Sequence, residues 1–407
     1  MRKLLLILVI VAPAFVSAQN TWEKKAAFGG EKRSRCVAFS IGNRGYMGCG
    51  EDTADIEHND FWEYDPGTDC WTQKASLPAA GRRDAVGFAI GTKGYVGTGI
   101  DSPESWLGNN QNDWWEYNPV TNTWLARATY PGSASYGGVY FATGFVINGY
   151  GYVVGGKQSA SNYTDNLYRF DPVTNSWAVM APFPNNPRYA MSAFTVNGKG
   201  YVGLGTDENI LQTDWWEYNP VGNSWVQKAS FPGSGRFAAS GFAIGSKGYV
   251  VGGTDGGYQD ELWQYDAASN SWWVKAPYGG GERRSMGVFV IGSAAYAGTG
   301  KGFSGSRRDF WQYEQYLTGI EETEYSSPGI YPNPVAEYFT VTVPQGLSVF
   351  PENTLLSIFS SEGKVVHQQD VSSGSQVRIN ASAFATGVYT LQLSGENWRS
   401  QSTFIKQ

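Results

Sequence analysis

Five arginines, Arg33, Arg82, Arg188, Arg236 and Arg283, stand at one equivalent place in successive stretches of this 407-residue chain. Six aspartates, Asp60, Asp113, Asp165, Asp214, Asp260 and Asp309, follow in step with them. Guanidinium groups gathered at one place would attract an anionic ligand, such as a uronic or sialic acid, through bidentate charge-assisted hydrogen bonds. The same residues would also satisfy one another. A residue present in nearly every repeat is explained first by what every repeat needs, so an Arg–Asp pair that knits loops together is the leading reading. A free anion site is the competing one.

Other chemistry is limited by inventory. The chain holds two histidines, His58 and His367, too few for a histidine-rich metal centre. His58 lies among Glu51, Asp52, Asp55 and Glu57, whose spacing matches no calcium-binding loop. No cofactor and no metal are expected. A formal charge of -6 argues against a nucleic-acid partner, which would call for an excess of lysine and arginine.

A function specific to one ligand should appear where the repeat fails. In the third repeat Val139 replaces the arginine, and the approach from Pro131 to Phe145 is longer than its counterpart from Pro78 to Phe88. Tyr136 and Tyr140 lie inside that approach, Trp106 on the neighbouring Ile100 to Asn112 loop, and Lys157 and Tyr163 on the loop that follows. Trp106, Tyr136, Tyr140, Lys157 and Tyr163 are expected to form a sugar-stacking or peptide-binding patch. The five arginines are the second candidate site.

The elements that must position these residues are strands. Tryptophans at 22, 71, 124, 177, 225 and 272 mark six repeats, and 52 glycines with 15 % aromatic residues suit short strands and tight turns. Each repeat has four phrases. An apolar alternation such as Phe88 to Ile90 runs into a glycine turn, Gly91 to Gly94, and a second strand ends in glycines, as at Gly155 and Gly156. An aromatic strand such as Trp114 to Asn118 then stops at Pro119, and the Trp strand completes the set. Four strands per repeat make a propeller blade. The last repeat lacks its fourth strand, and Thr21 to Ala26 matches Ser224 to Ala229, so the N-terminal segment is expected to close the sixth blade.

These phrases, with the double glycines at 155–156 and 252–253 and the spaced Tyr and Trp, resemble the kelch family over residues 21 to 316. The resemblance implies a six-bladed kelch-type β-propeller. The copper oxidases built on that fold need histidines this chain lacks. An acidic-sugar mutarotase or epimerase, working with arginine and a carboxylate, is the enzymatic alternative to a binding module.

At the N-terminus, Arg2 and Lys3, an apolar run from Leu4 to Val11 and the small residues Ser17 and Ala18 read as a signal peptide over 1–18. The run is too short to span a bilayer, so no transmembrane segment is expected. Cys36, Cys49 and Cys70 read as small buried residues, with a Cys36–Cys49 disulfide as the alternative. The propeller then covers 19–316 and a polar linker 317–329. Residues 330–407 carry Tyr331-Pro332-Asn333-Pro334, Glu362-Gly363-Lys364 and Gly387-Val388-Tyr389. They resemble the sorting domain of the type IX secretion system. The whole is expected to be all-β, a six-bladed kelch-type β-propeller followed by a small Ig-like β-sandwich. The resemblance implies passage through the periplasm to the outer surface or the medium, handled by the type IX machinery, with a glycan or protein as the propeller's partner.

Overall fold

The computed structural model describes residues 21–101, 110–132, 137–314, 323–324, 327–344, 347, 349–350, 354–360, 365–371, 374–394 and 398–407. Residues 1–18, read from sequence as a signal peptide, Trp106, Tyr136, most of the expected linker and Glu362 to Lys364 lie outside them. The chain divides into two compact units, Met1–Gln315 and Tyr316–Gln407.

The first unit holds six antiparallel four-stranded sheets, each one blade. Blade one runs outward through Val37–Ile41, Arg44–Gly48, Phe61–Asp65 and Cys70–Lys74, and blades two to five repeat this order, beginning at Val86, Thr143, Ser192 and Ser240. Blade six has Gly287–Ile291, Ala294–Gly298 and Phe310–Glu314, and its outer strand is Thr21–Lys25, paired from Thr21 with Glu314 to Lys25 with Phe310. Inner strands alternate buried and half-buried residues, whereas outer strands such as Cys70–Lys74 are largely exposed. The polarity of each strand thus follows its distance from the axis.

Two contacts lock neighbouring blades. An inner-strand phenylalanine of one blade lies over a glycine of the next: a side chain on Gly45 would sit 2.1 Å from the Phe289 ring, and one on Gly248 at the same distance from Phe194. Only glycine permits that approach. At the rim, the repeat tryptophan of each blade reaches back to the preceding one. The indoles of Trp71, Trp124, Trp177, Trp225 and Trp272 donate to the carbonyls of Ala26, Ala75, Ala128, Ala181 and Ala229 at 2.8–3.1 Å. Trp22 closes the series on Ala276 at 3.3 Å. The same first five alanines donate their N–H to the side chains of Asp69, Asn122, Asn175, Asn223 and Asn270. All three cysteines are free thiols, and burial pushes those of Cys36 and Cys49 up to about 12.

In the second unit, a three-stranded sheet (Ile330–Tyr331, Tyr338–Thr342, Gln376–Asn380) and a five-stranded sheet built mainly of Thr354–Ser360, Val365–Val371, Gly387–Ser394 and Trp398–Lys406 enclose one core. Phe339, Val341 and Ile379 from the first sheet meet Leu356, Ile358 and Leu391 from the second. This is a β-sandwich.

Trp22 packs 4.8 Å from Tyr278 and 5.1 Å from Tyr313, and bonds Ala276 of blade five. Trp22→Ala is expected to destabilise the propeller by about 3 kcal/mol, the usual order for a large aromatic truncation. Chemical denaturation should show one cooperative transition at a lower midpoint; local fraying of blade six alone would contradict the closing role.

Candidate functional site

The five repeat arginines are 0–1 % exposed. Four of them grip a carboxylate with both terminal nitrogens, Arg33 on Asp60, Arg82 on Asp113, Arg188 on Asp214 and Arg283 on Asp309, the second bond of each pair measuring 2.8–3.1 Å. Arg236 takes Glu261 instead, at 2.7 Å. In all five, Nη1 also donates to the carbonyl sixteen residues on, at Cys49, Thr98, Leu204, Gly252 and Thr299. Nε donates to the carbonyl two residues back. The indole of Trp62, Trp115, Trp216, Trp263 or Trp311 donates to the same acid from the other side.

These arginines are paired with the protein's own acids and almost fully buried, so they offer a ligand no open guanidinium face. The epimerase alternative cannot draw its arginine from these five. Burial alone would raise Asp113, Asp214 and Asp309, but the bonds from their arginines outweigh it and hold all three below the usual carboxylate range.

The pairing corrects the aspartate register as well. The residue just before the third strand is Asn166 in blade three and Glu261 in blade five; Asp165 and Asp260 lie one position earlier. Blade three has thus exchanged the whole unit, arginine for the fully buried Val139, acid for Asn166 and indole for Tyr168. Tyr130 stands where Phe28, Phe183, Phe231 and Tyr278 lie under their arginines, and its ring is 5.1 Å from Tyr168. A pair that disappears together is a structural unit.

Above these pairs lies the mouth of the ring. The second residue after each arginine position has a left-handed backbone: Arg35, Asp84, Phe141, Ala190, Ala238 and Ser285, with φ between 51° and 63°. Their N–H groups form a closed cycle, Arg35 donating to Ser285, Ser285 to Ala238, Ala238 to Ala190, Ala190 to Phe141, Phe141 to Asp84 and Asp84 to Arg35, at 2.9–3.3 Å. A cavity of about 130 Å³ is lined by all six.

The residue just before each of these bridges a loop residue, which in turn bridges a second. The six triplets are Ser34/Glu51/Glu57, Arg83/Ile100/Asn110, Tyr140/Lys157/Tyr163, Tyr189/Thr206/Leu211, Phe237/Thr254/Tyr258 and Arg284/Lys301/Ser306. The frame is sixfold, but the side chains on it differ in every blade.

Those side chains divide the mouth. On blades one and two Arg35 stands 3.2 Å from Glu51 and 3.6 Å from Asp84, and Arg83 stands 2.9 Å from Glu51, 3.2 Å from Glu57 and 3.7 Å from Asp84. On blades three to five an aromatic arc runs Tyr140, Phe141, Tyr189 and Phe237, with successive rings 5.6–6.3 Å apart. The Lys157 ammonium lies 4.6 Å from the Tyr189 ring and 5.4 Å from that of Tyr163, and is paired with Glu208.

With this geometry in place, comparison with known proteins is informative. Residues 89–300, more than half of the chain, match the KLHDC2/KLHL20/DRC7 Kelch-repeats domain. The chain belongs to this kelch-repeat family. Residues 329–407 match the secretion system C-terminal sorting domain, which assigns the second unit to export toward the cell surface or beyond. A solved structure entitled "Structure of YjhT" is 16 % identical, with a TM-score of 0.58 over 70 % of this chain and 96 % of that one; at that identity the likeness is one of fold. None of the curated proteins matches the chain in sequence. Among the described residues no helix is long and apolar enough to cross a membrane.

Of the patch residues named from sequence, the kelch propeller brings Tyr140, Lys157 and Tyr163 together in one triplet, while Trp106 and Tyr136 lie outside the described residues. Tyr140 and Lys157 are nearly buried, at 1 % and 8 % exposed, because Tyr140 packs in the arc and Lys157 in its tyrosines. His58 bonds Asp52 at 3.0 Å. Sequence reasoning passed over Arg35, Asp84, Phe141, Tyr189, Phe237 and Arg284. The signal was present in the two residues after the arginine position, which vary between repeats while the arginine is kept in five of the six.

Two predictions follow from this kelch frame. Removing Arg188 alone strands a buried carboxylate, so Arg188→Val should be less stable than the double variant Arg188→Val/Asp214→Asn, which copies blade three, by about 2 kcal/mol in denaturant unfolding. Equal stabilities would contradict the paired unit. Asp84 titrates at about 6, raised by burial against the lowering pull of Arg35 and Arg83, with Glu51 raising it further. Its folded value lies above the unfolded one, so the folded state binds this proton more tightly. The stability contributed below pH 4 is lost as pH rises to about 6. Asp84→Asn should lack that fall, and should gain up to about 2 to 3 kcal/mol on the wild type between pH 4 and 7. Parallel stability–pH curves for the two proteins would refute it.

Proposed function

We propose that this protein is an exported binding module whose kelch propeller takes a glycan or protein partner at its mouth, without a cofactor. The observation that carries the reading is the set of six bridge triplets: one frame, closed by symmetry, presents six different combinations of side chains. A scaffold needs the frame alone, and half-buried Phe141 and Phe237 with Tyr163 beside them add nothing to closure. Aromatic and arginine side chains on loops above a rigid scaffold are what partner recognition employs.

In this reading residues 1–18 direct the chain to the periplasm and 19–316 form the binding propeller. A linker over 317–329 leads to residues 330–407, which engage the type IX machinery for release or attachment at the outer surface.

Screening the mature protein against glycan arrays and extracellular protein fractions should yield a partner. Phe141→Ala/Tyr163→Ala should then bind it at least about tenfold more weakly while unfolding at nearly the wild-type midpoint. Undiminished binding by that folded variant would place the site away from the mouth.

A further inference from the structure

Blade six differs from every other blade in the charge of its triplet. Arg284 and Lys301 face each other directly, exchanging backbone hydrogen bonds at 3.0 Å in both directions. Like-charged side chains directly opposed across such a bridge are unfavourable. Elsewhere at the mouth the cations are neutralised, Arg35 and Arg83 by Glu51 and Lys157 by Glu208. Among the described residues neither Arg284 nor Lys301 has a carboxylate within ion-pair distance. Burial first, then the charge of Arg35, lowers Arg284 from its ordinary value, against the raising pull of Tyr258, Asp84 and Glu51. Two cations on one bridge without an ion pair leave a place for an anion from outside.

Aromatic surface adjoins the pair. The Arg284 guanidinium lies 5.5 Å from the Phe237 ring and 6.0 Å from that of Tyr258. Tyr258 meets Phe303 edge to face at 4.9 Å, and Phe303, on the turn of the Lys301–Gly302/Gly305–Ser306 hairpin, is 74 % exposed. A large apolar ring held out at the lip of a basic notch suits the C–H face of a pyranose, while the cations suit its oxyanion.

We infer that the blade-six side of the mouth binds an acidic polysaccharide, with a carboxylate or sulfate group seated between Arg284 and Lys301 and a sugar ring packed on Phe303 and Tyr258. This rests on the reading of the mouth as the binding face and names its ligand class. A glycan is favoured over a nucleic acid because the notch pairs two cations with one anionic group, whereas a phosphate chain calls for a track of lysine and arginine. It is favoured over an acidic peptide because Phe303 offers a flat face rather than a pocket for a side chain.

The test uses the full mature protein with polygalacturonate as the carboxylate probe, chondroitin sulfate as the sulfate probe, and dextran and poly-L-glutamate as comparators, followed by calorimetry. At least one acidic polysaccharide should bind, more weakly as salt rises. Arg284→Ala/Lys301→Ala should weaken it at least about tenfold, and Phe303→Ala should weaken it while leaving the salt dependence intact. Lys301→Ala alone removes the like-charge contact, so it should fold at least as stably as the wild type and keeps the test open if the double variant misfolds. The inference is overturned if neither acidic polysaccharide binds, if dextran or poly-L-glutamate binds as tightly, or if these variants leave affinity unchanged. A partner that binds the wild type and is lost in Phe141→Ala/Tyr163→Ala, with no acidic polysaccharide bound, would remove this inference and leave the proposed function standing.

Discussion

The cycle of six backbone hydrogen bonds from Arg35 round to Ser285 is the constraint on which the rest of the propeller depends. A cycle closes only if each blade enters it at the same angle, and each does so through one residue in the left-handed region. That conformation costs a non-glycine residue of order 1 kcal/mol, and all six residues are non-glycine. Packing must hold them there. The phenylalanine-on-glycine contacts near the axis and the Trp-to-alanine bonds at the rim fix each blade against its neighbour at both radii, so the angle between blades has little freedom left. The strand Thr21–Lys25 matters for the same reason: without it blade six would lack the outer strand that carries Trp22 to Ala276.

The buried arginines serve this constraint from below. In blade one, Arg33 joins Glu31 on the approach, Cys49 at the end of the second strand and Asp60 at the start of the third. Those are the segments that carry Ser34, Glu51 and Glu57. The guanidinium fork, with its donors in a fixed plane, ties three chain segments whose ends would otherwise be free to shift. A buried ion pair is weak evidence for net stability, since desolvation offsets the attraction. What it provides here is position: the triplet above it is held on a fixed base. Blade three reaches the same end with Val139, Asn166 and Tyr168 on Tyr130, by packing instead of charge.

The strands were legible in the sequence because their periodicity is local. Alternation over Phe88 to Ile90, the glycine turn at Gly91 and the proline stop at Pro119 each need a few neighbouring residues, and the structure has strands at those places. The family was legible for the same reason. The site was harder. Asp165 and Asp260 looked like repeat acids, but pairing depends on which residue directly precedes the third strand, and one residue of slip turns a side chain to the other face. The triplets draw their second and third members from loops that differ in length between blades, so Glu51, Lys157 and Lys301 do not align by eye. Nothing in composition marks Arg35, Asp84 or Phe141 as left-handed residues, because ring closure imposes that conformation from a distance.

The mouth also shows how a chain of net charge -6 can present a locally basic surface. Three cations of the protein's own lie over its aromatic rings, Arg35 over Phe141, Lys157 over Tyr189 and Arg284 over Phe237, at 4.6–5.5 Å. The first two cations are held by carboxylates from neighbouring loops, so their charge is spent within the protein. The third is not. Equivalent positions on one frame thus differ in whether the counterion is supplied by the chain or left to the surroundings. Each choice is a single side chain on a loop, Glu51 or Glu208, so exchanging one loop carboxylate changes the charge that the mouth presents.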